Sequence, residues 1–313
     1  MITKKIFLFF ASFLLISLNI HTLALEYDGL EKLSKKNTFM DDKGKPYSID
    51  EITDKENSFI IIYNHGSIQD VRVDPCKAKP SFGYIWDGAV VPAILKLHNK
   101  EINGLKAKIY RLCSGVKGMT NKNQKKYRNL LKSNGQIEIV DEFKNIKRQN
   151  IIFQELKKFQ QLGFENIILA GYSAGGWASL NLQSRYPNKI KGTIAFNPAF
   201  AGPKNEWQKK FPEWGAFRDQ QVDILNNAKS INAILFAHDK DIFEDTETLS
   251  FFKKFKDLKF IDYSKLKPTS CKWANSDSNM DAGKGHNIPQ SRCFTKFVKE
   301  NNYLISFLEK SLQ

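Results

Sequence analysis

Six short, almost continuous apolar runs constrain the fold of this chain more than any other feature: FIIIY at 59–63, KIYRLC at 108–113, NIILA at 166–170, GTIAF at 192–196, AILF at 233–236 and KFIDY at 259–263. Runs of this length without polar alternation suit strands buried on both faces, as in a parallel sheet covered by helices. The segments between them carry helical period. Over 142–162, Phe143, Ile146, Phe153, Leu156 and Phe159 can share a face, and Gly163 supplies a stop. Further helices are predicted over 88–99 and in WASLNLQSR, before Tyr186 and Pro187. This alternation predicts an α/β fold with a mostly parallel central sheet and helices on both faces. No internal repeat or low-complexity linker divides the chain, so one domain is expected over 25–313. Residues 25–57 are polar and weakly periodic, and suit either two weak edge strands or irregular structure.

The first two dozen residues read differently. Lys4 and Lys5 precede an apolar run from Ile6 to Ile20 that is short for a membrane span, and Thr22 and Ala24 have the small-residue spacing that signal peptidase prefers. A secretory signal peptide over 1–24 is expected, leaving a periplasmic or extracellular protein with no stable membrane anchor. The net charge of +15 comes from Lys spread among Asn and Ile. Nucleic-acid recognition favours clustered Arg beside stacking aromatics, so no nucleic-acid partner is expected. Cys76, Cys113, Cys271 and Cys293 form an even set in the exported portion, which predicts two disulfides. None has the C-x-x-C spacing of a zinc knuckle or redox motif; three pairings are open.

The run NIILA leads straight into GYSAGG, Gly171 to Gly176, and then into a predicted helix. A serine at such a strand-to-helix turn projects its hydroxyl above the sheet, and small neighbours let the backbone bend. Ser173 is therefore a candidate nucleophile. A serine hydroxyl needs a base, and the base needs a group that fixes its tautomer. His21 leaves with the signal peptide, His65 follows the first run, His98 lies in a predicted helix and His238 follows the fifth run. His286 lies beyond the sixth run in AGKGHNIP, where Gly283 and Gly285 let a loop reach the site. The acid is expected after AILF, where FAHDKDIFED offers Asp239, Asp241, Glu244 and Asp245.

At these residues the chain resembles the alpha/beta-hydrolase fold superfamily, in its serine hydrolase and esterase branch. Many members carry a Gly-Asp-Lys-Asp-like stretch after the corresponding strand and use its last Asp. The resemblance implies Asp241 as the acid, with Asp239 the alternative, and the order Ser173, Asp241, His286 is the superfamily's order. It implies an oxyanion hole from the backbone amides of Ala174 and of Ser67, the latter in the loop Asn64–Ser67, with His65 orienting that loop through side-chain hydrogen bonds. It places a cap at 197–232, where Phe200, Trp207, Phe211, Trp214 and Phe217 either line an apolar pocket or pack on the sheet. With both pairs at the active-site edge, it favours Cys76 with Cys113 and Cys271 with Cys293, the second pair bracketing His286.

The resemblance spans about residues 58–312 in architecture, although its motifs occupy four short stretches. Similarity to dienelactone-hydrolase-like and prolyl-oligopeptidase-like members is looser; the former typically use a cysteine where this chain has Ser173. The implied activity is hydrolysis of a small-molecule carboxylic ester through an acyl-serine, with no metal or organic cofactor. The competing readings are a peptidase or amidase with the same triad and a catalytically silent binding protein of this fold, which a complete triad disfavours. Oligomeric state has no signature in the sequence.

Overall fold

Alternate residues of the central strands face two different cores. In β3 (Ser58–Asn64), Phe59, Ile61 and Tyr63 enter one apolar cluster while Ile60 and Ile62 enter another. Every residue of this strand is buried, as is every residue of β6 (Ile167–Tyr172). That is the physical reason both read as unbroken apolar runs: neither face meets water. On one side the sheet is covered by the C-terminal helices Arg292–Glu300 and Tyr303–Ser311, through Phe294, Phe297, Leu304, Phe307 and Leu308. On the other it is covered by helices Lys144–Gln161 and Ala174–Arg185, through Ile151, Ile152, Leu156, Phe159, Ala178 and Leu182. Each such leucine, isoleucine or phenylalanine side chain contributes roughly 1.5–3 kcal/mol on leaving water.

The computed structural model describes residues 37–67, 90–114, 116, 121–137, 143–274, 277–281 and 285–313. The expected signal peptide and Cys76 lie outside the described residues. Among those described, the remaining strands are β1 (Thr38–Met40), β2 (Pro46–Tyr47), β4 (Glu101–Ile102), β5 (Leu105–Leu112), β7 (Gly192–Phe196), β8 (Ala233–Ala237) and β9 (Leu258–Asp262). The sheet order is β2-β1-β5-β3-β6-β7-β8-β9, with β4 paired to β5. From β5 to β9 all neighbours along this path are parallel, while β1, β2 and β4 pair antiparallel. The expected mostly parallel α/β architecture, that of the alpha/beta-hydrolase fold, is the observed one.

One detail departs from the sequence reading. The helix expected over 88–99 is shortened, among the described residues, to Pro92–Leu95. Asn99 adopts φ +56° and its N–H donates to the Ala107 carbonyl (2.9 Å), so the chain leaves the helix to join the β4–β5 hairpin. In the weakly periodic segment before residue 58, the first of the two expected alternatives holds among the described residues: edge strands β1 and β2 form, anchored by Phe39 against Tyr47, Tyr110 and Phe159.

The helix Lys144–Gln161 ends as its sequence requires. Gly163 holds φ +89°, its N–H donates to Gln160 O (3.0 Å), and Phe164 N–H reaches back to Phe159 O (3.0 Å) while the two rings meet at 5.8 Å. This is a Schellman termination closed by its apolar contact. A Cβ at Gly163 would meet no atom within 4 Å, so substitution strains only the backbone. Gly163→Ala is expected to lower stability by about 1–2 kcal/mol, with urea unfolding as the measurement; an unchanged midpoint contradicts the left-handed assignment.

Candidate active site

The turn after β6 is built from missing side chains. A Cβ on Gly171 would strike the Gly175 backbone, and one on Gly175 would strike the carbonyls of Asn64 and His65 at the end of β3. Only glycine lets the first turn of helix Ala174–Arg185 lie directly on the neighbouring strand. Between these glycines Ser173 is held at φ +54°, ψ −124°, a conformation that costs an L-residue about 1–3 kcal/mol. Three backbone hydrogen bonds over-determine it: Ser173 N–H to Phe196 O (2.9 Å), and Trp177 N–H (3.0 Å) and Ala199 N–H (3.1 Å) to Ser173 O.

His286 and Asp241 meet. The ring Nδ1 lies 2.7 Å from Asp241 Oδ2, and both residues are buried. The other carboxylate oxygen, Oδ1, accepts the N–H of Phe243 (2.8 Å), so both oxygens are occupied. Asp239, the alternative acid, turns outward beside His238 and Lys240 with 44% of its side chain exposed.

Backbone contacts pin the His286 segment, a 3-10 turn over Gly285–Gln290. Asn197, at φ +42° just after β7, donates its Nδ2 to Gly285 O (3.1 Å) and His286 O (2.8 Å), while its Oδ1 accepts from Tyr263 OH (2.7 Å). The hydroxyl of Tyr172, the residue before Ser173, lies 3.0 Å from His286 O and 2.7 Å from Asn287 Oδ1. A Cβ on Gly285 would collide with the Lys240 carbonyl, so this glycine lets the segment lie against the Asp241 loop. The disulfide Cys271–Cys293 closes the segment from outside, with a Cα–Cα distance of 5.5 Å. Closing a loop of this size contributes about 3 kcal/mol through the unfolded chain. Cys113 is also disulfide-bonded, and its expected partner Cys76 lies outside the described residues.

Ser173 and His286 are thus tied through Tyr172 and the backbone. Among the described residues no hydrogen bond joins the Ser173 hydroxyl to the imidazole, a bond that in unliganded hydrolytic sites often forms only with substrate. Ala174 opens the helix after Ser173. Gly66 packs against Ser173, a Cβ on it falling 3.1 Å from the serine Cβ, and Ser67 follows at the half-buried rim.

His65 is buried, with Nδ1 2.6 Å from Gly66 O and Nε2 3.1 Å from Ser114 N. A carbonyl only accepts and an amide N–H only donates, so the ring is the neutral Nδ1–H tautomer. Burial, reinforced by the Arg148 charge, holds its pKa well below the usual histidine range. His238 is also fully used: Nε2 donates to Leu266 O (3.0 Å) and Nδ1 accepts from Lys240 N–H (3.0 Å).

Three residues around the site escaped the sequence reading: Arg148, Asn197 and Tyr172. Arg148 had a usable signal. Asn145, Arg148 and Gln149 continue the helical stripe of Ile152, Leu156 and Phe159, and all are buried. Polar residues extending an apolar stripe mark a helix end that enters a polar interior. Between 197 and 232, Phe200 and Phe217 pack in the core with Trp177, Phe143 and Leu225; Trp207 lies on helix Lys204–Lys209, Trp214 on helix Pro212–Asn226, and Phe211 at the N-cap between them.

No family model matches this chain, and no curated protein matches it in sequence. Among solved structures it is similar to Est1E from Butyrivibrio proteoclasticus, at 14% identity and TM-score 0.46, over 86% of this chain and 92% of that one. It is similar to a monoacylglycerol lipase from Paleococcus ferrophilus, at 10% identity and TM-score 0.44, over 88% and 97% of the two chains. A lipase-esterase related protein from Clostridium acetobutylicum matches at 12% identity and TM-score 0.43, over 86% and 98%. None of these likenesses decides the fold. The parallel sheet, the strained serine between β6 and its helix, and the chain order Ser173, Asp241, His286 do so: the chain has the alpha/beta-hydrolase fold.

Proposed function

We propose that this protein is an exported serine hydrolase that cleaves carboxylic esters through an acyl-serine intermediate. The observation that carries the reading is the 2.7 Å contact between His286 Nδ1 and Asp241 Oδ2, on a segment fastened to the residue preceding a strained serine. Asp241 keeps the proton on Nδ1, so Nε2 presents its lone pair. In the reaction Nε2 takes the Ser173 hydroxyl proton as Oγ bonds to the ester carbonyl carbon, then returns it to the leaving alkoxide. Water repeats the sequence on the acyl-serine. The amides of Ala174 and Ser67 are assigned to the oxyanion, where each donor removed costs about 100- to 1,000-fold in rate. Export is supported by the Cys271–Cys293 disulfide, a bond that persists in oxidising compartments.

The test is covalent labelling with a fluorophosphonate, followed by turnover of short- and long-chain p-nitrophenyl esters beside aminoacyl amides. Ser173→Ala is expected to stay folded and to lose all labelling. Label retained on another serine overturns the assignment, faster amide than ester turnover converts it to a peptidase or amidase, and a protein that takes no label is a binding protein.

Replacing the acid separates two neighbours. Asp241→Asn should lower kcat by about 10,000-fold through the wrong histidine tautomer, whereas Asp239→Asn should leave it within a few-fold; the reverse ranking makes Asp239 the acid.

Asn197→Ala removes two donors from the His286 segment. It is expected to lower kcat about 100-fold with little change in KM, since a displacement of roughly 1 Å has that effect. Unchanged kcat means the remaining restraints suffice.

A further inference from the structure

We infer that Arg148 is a positioning residue for the oxyanion hole, acting by clamping the two carbonyls that set the direction of the Gly66 and Ser67 amides; this deepens the serine hydrolase reading and rests on it. Arg148 projects from the helix Lys144–Gln161 and is 1% exposed. Its Nη1 donates to His65 O, and its Nη2 lies 3.4 Å from Gly66 O. The same Gly66 carbonyl accepts the Nδ1–H of His65 at 2.6 Å. Two donors from different elements therefore draw one carbonyl into the protein.

A trans peptide is planar, with its C=O and the following N–H pointing in opposite directions. Fixing Gly66 O toward Arg148 and His65 directs the Ser67 N–H the other way. Fixing His65 O does the same for the Gly66 N–H. Gly66 itself packs against Ser173 Cβ and the Tyr172 ring, so the loop that carries these amides borders the nucleophile. Arg148 also polarises both peptides, making their N–H groups better donors to a developing negative oxygen. A neutral His65 could not supply that polarisation alone.

Charge develops on the carbonyl oxygen only in the transition state, so misaimed amides should lower kcat and spare KM. The test measures p-nitrophenyl butyrate hydrolysis and the affinity for trifluoroacetophenone. Ser173 Oγ adds to that ketone, the C=O π pair becomes an alkoxide in the oxyanion hole, and the hydroxyl proton moves to His286. Arg148→Met is expected to lower kcat about 100-fold, to change KM less than threefold, and to weaken ketone binding by the same factor as kcat. If that variant does not fold, Arg148→Lys decides. Its point charge lacks the guanidinium fork, and kcat and ketone affinity should fall together at least fivefold. Wild-type kcat and ketone affinity in a folded Arg148 variant, with hydrolysis abolished in Ser173→Ala, overturn the Arg148 assignment alone. Hydrolysis that survives Ser173→Ala overturns both readings.

Discussion

The close approach of Gly175 to the carbonyls of Asn64 and His65 is the contact on which the rest of the site depends. It brings the helix start behind Ser173 onto the end of β3, and so brings the Asn64–Ser67 loop beside the serine. Asn64 uses its side chain to hold that junction, donating Nδ2 to Ala170 O (3.2 Å) and Ser179 Oγ (3.0 Å). The parallel register of β3 with β6 places Asn64 opposite Gly171, so both strands end at the same level and their following loops meet. A side chain on Gly171 or Gly175 would separate these ends and dissolve the site without touching a titratable group.

The sheet was legible in the sequence because burial on both faces leaves no solvent-facing position in β3, β6, β7 or β8, so apolar residues dominate each run. Strands with one exposed face were harder. β1 and β2 total five residues at the edge and owe their order to Phe39 meeting Tyr47, Tyr110 and Phe159, contacts that local periodicity does not encode. At the site, the elbow and the His286 loop were legible because glycines mark unusual backbone. Asn197 was not: a polar residue after a strand resembles any turn, and its task of holding another segment's carbonyls is purely tertiary.

The segment after β8 is fixed by a buried ion pair as well as by Asp241. Arg218 donates to both Glu244 oxygens, at 2.5 and 2.8 Å, and lies over the rings of Trp207 (5.0 Å) and Trp177 (5.8 Å). Burial pushes the Glu244 carboxyl up, and the arginine opposes that shift. Buried pairs of this kind add little net stability, because desolvation offsets attraction, but breaking one strands the other charge. The pair ties helix Pro212–Asn226, which carries Arg218, to the loop bearing Asp241.

Among the described residues, the three buried histidines differ in how their ring nitrogens are used. His65 and His238 each use both ring nitrogens on backbone partners, so a proton moved on either ring breaks a hydrogen bond that holds a loop. His286 is restrained as firmly, but through different atoms: its carbonyl by Asn197 and Tyr172, and Nδ1 by Asp241. Among the described residues nothing hydrogen-bonds to its Nε2. A general base needs this combination, since a rigid ring has to keep one nitrogen available to gain and lose a proton. In the reaction proposed above, the one His286 nitrogen left outside the structural network is the atom that the general-base role requires, and it is the ring's restraint through Asp241, Asn197 and Tyr172 that keeps this nitrogen in one place.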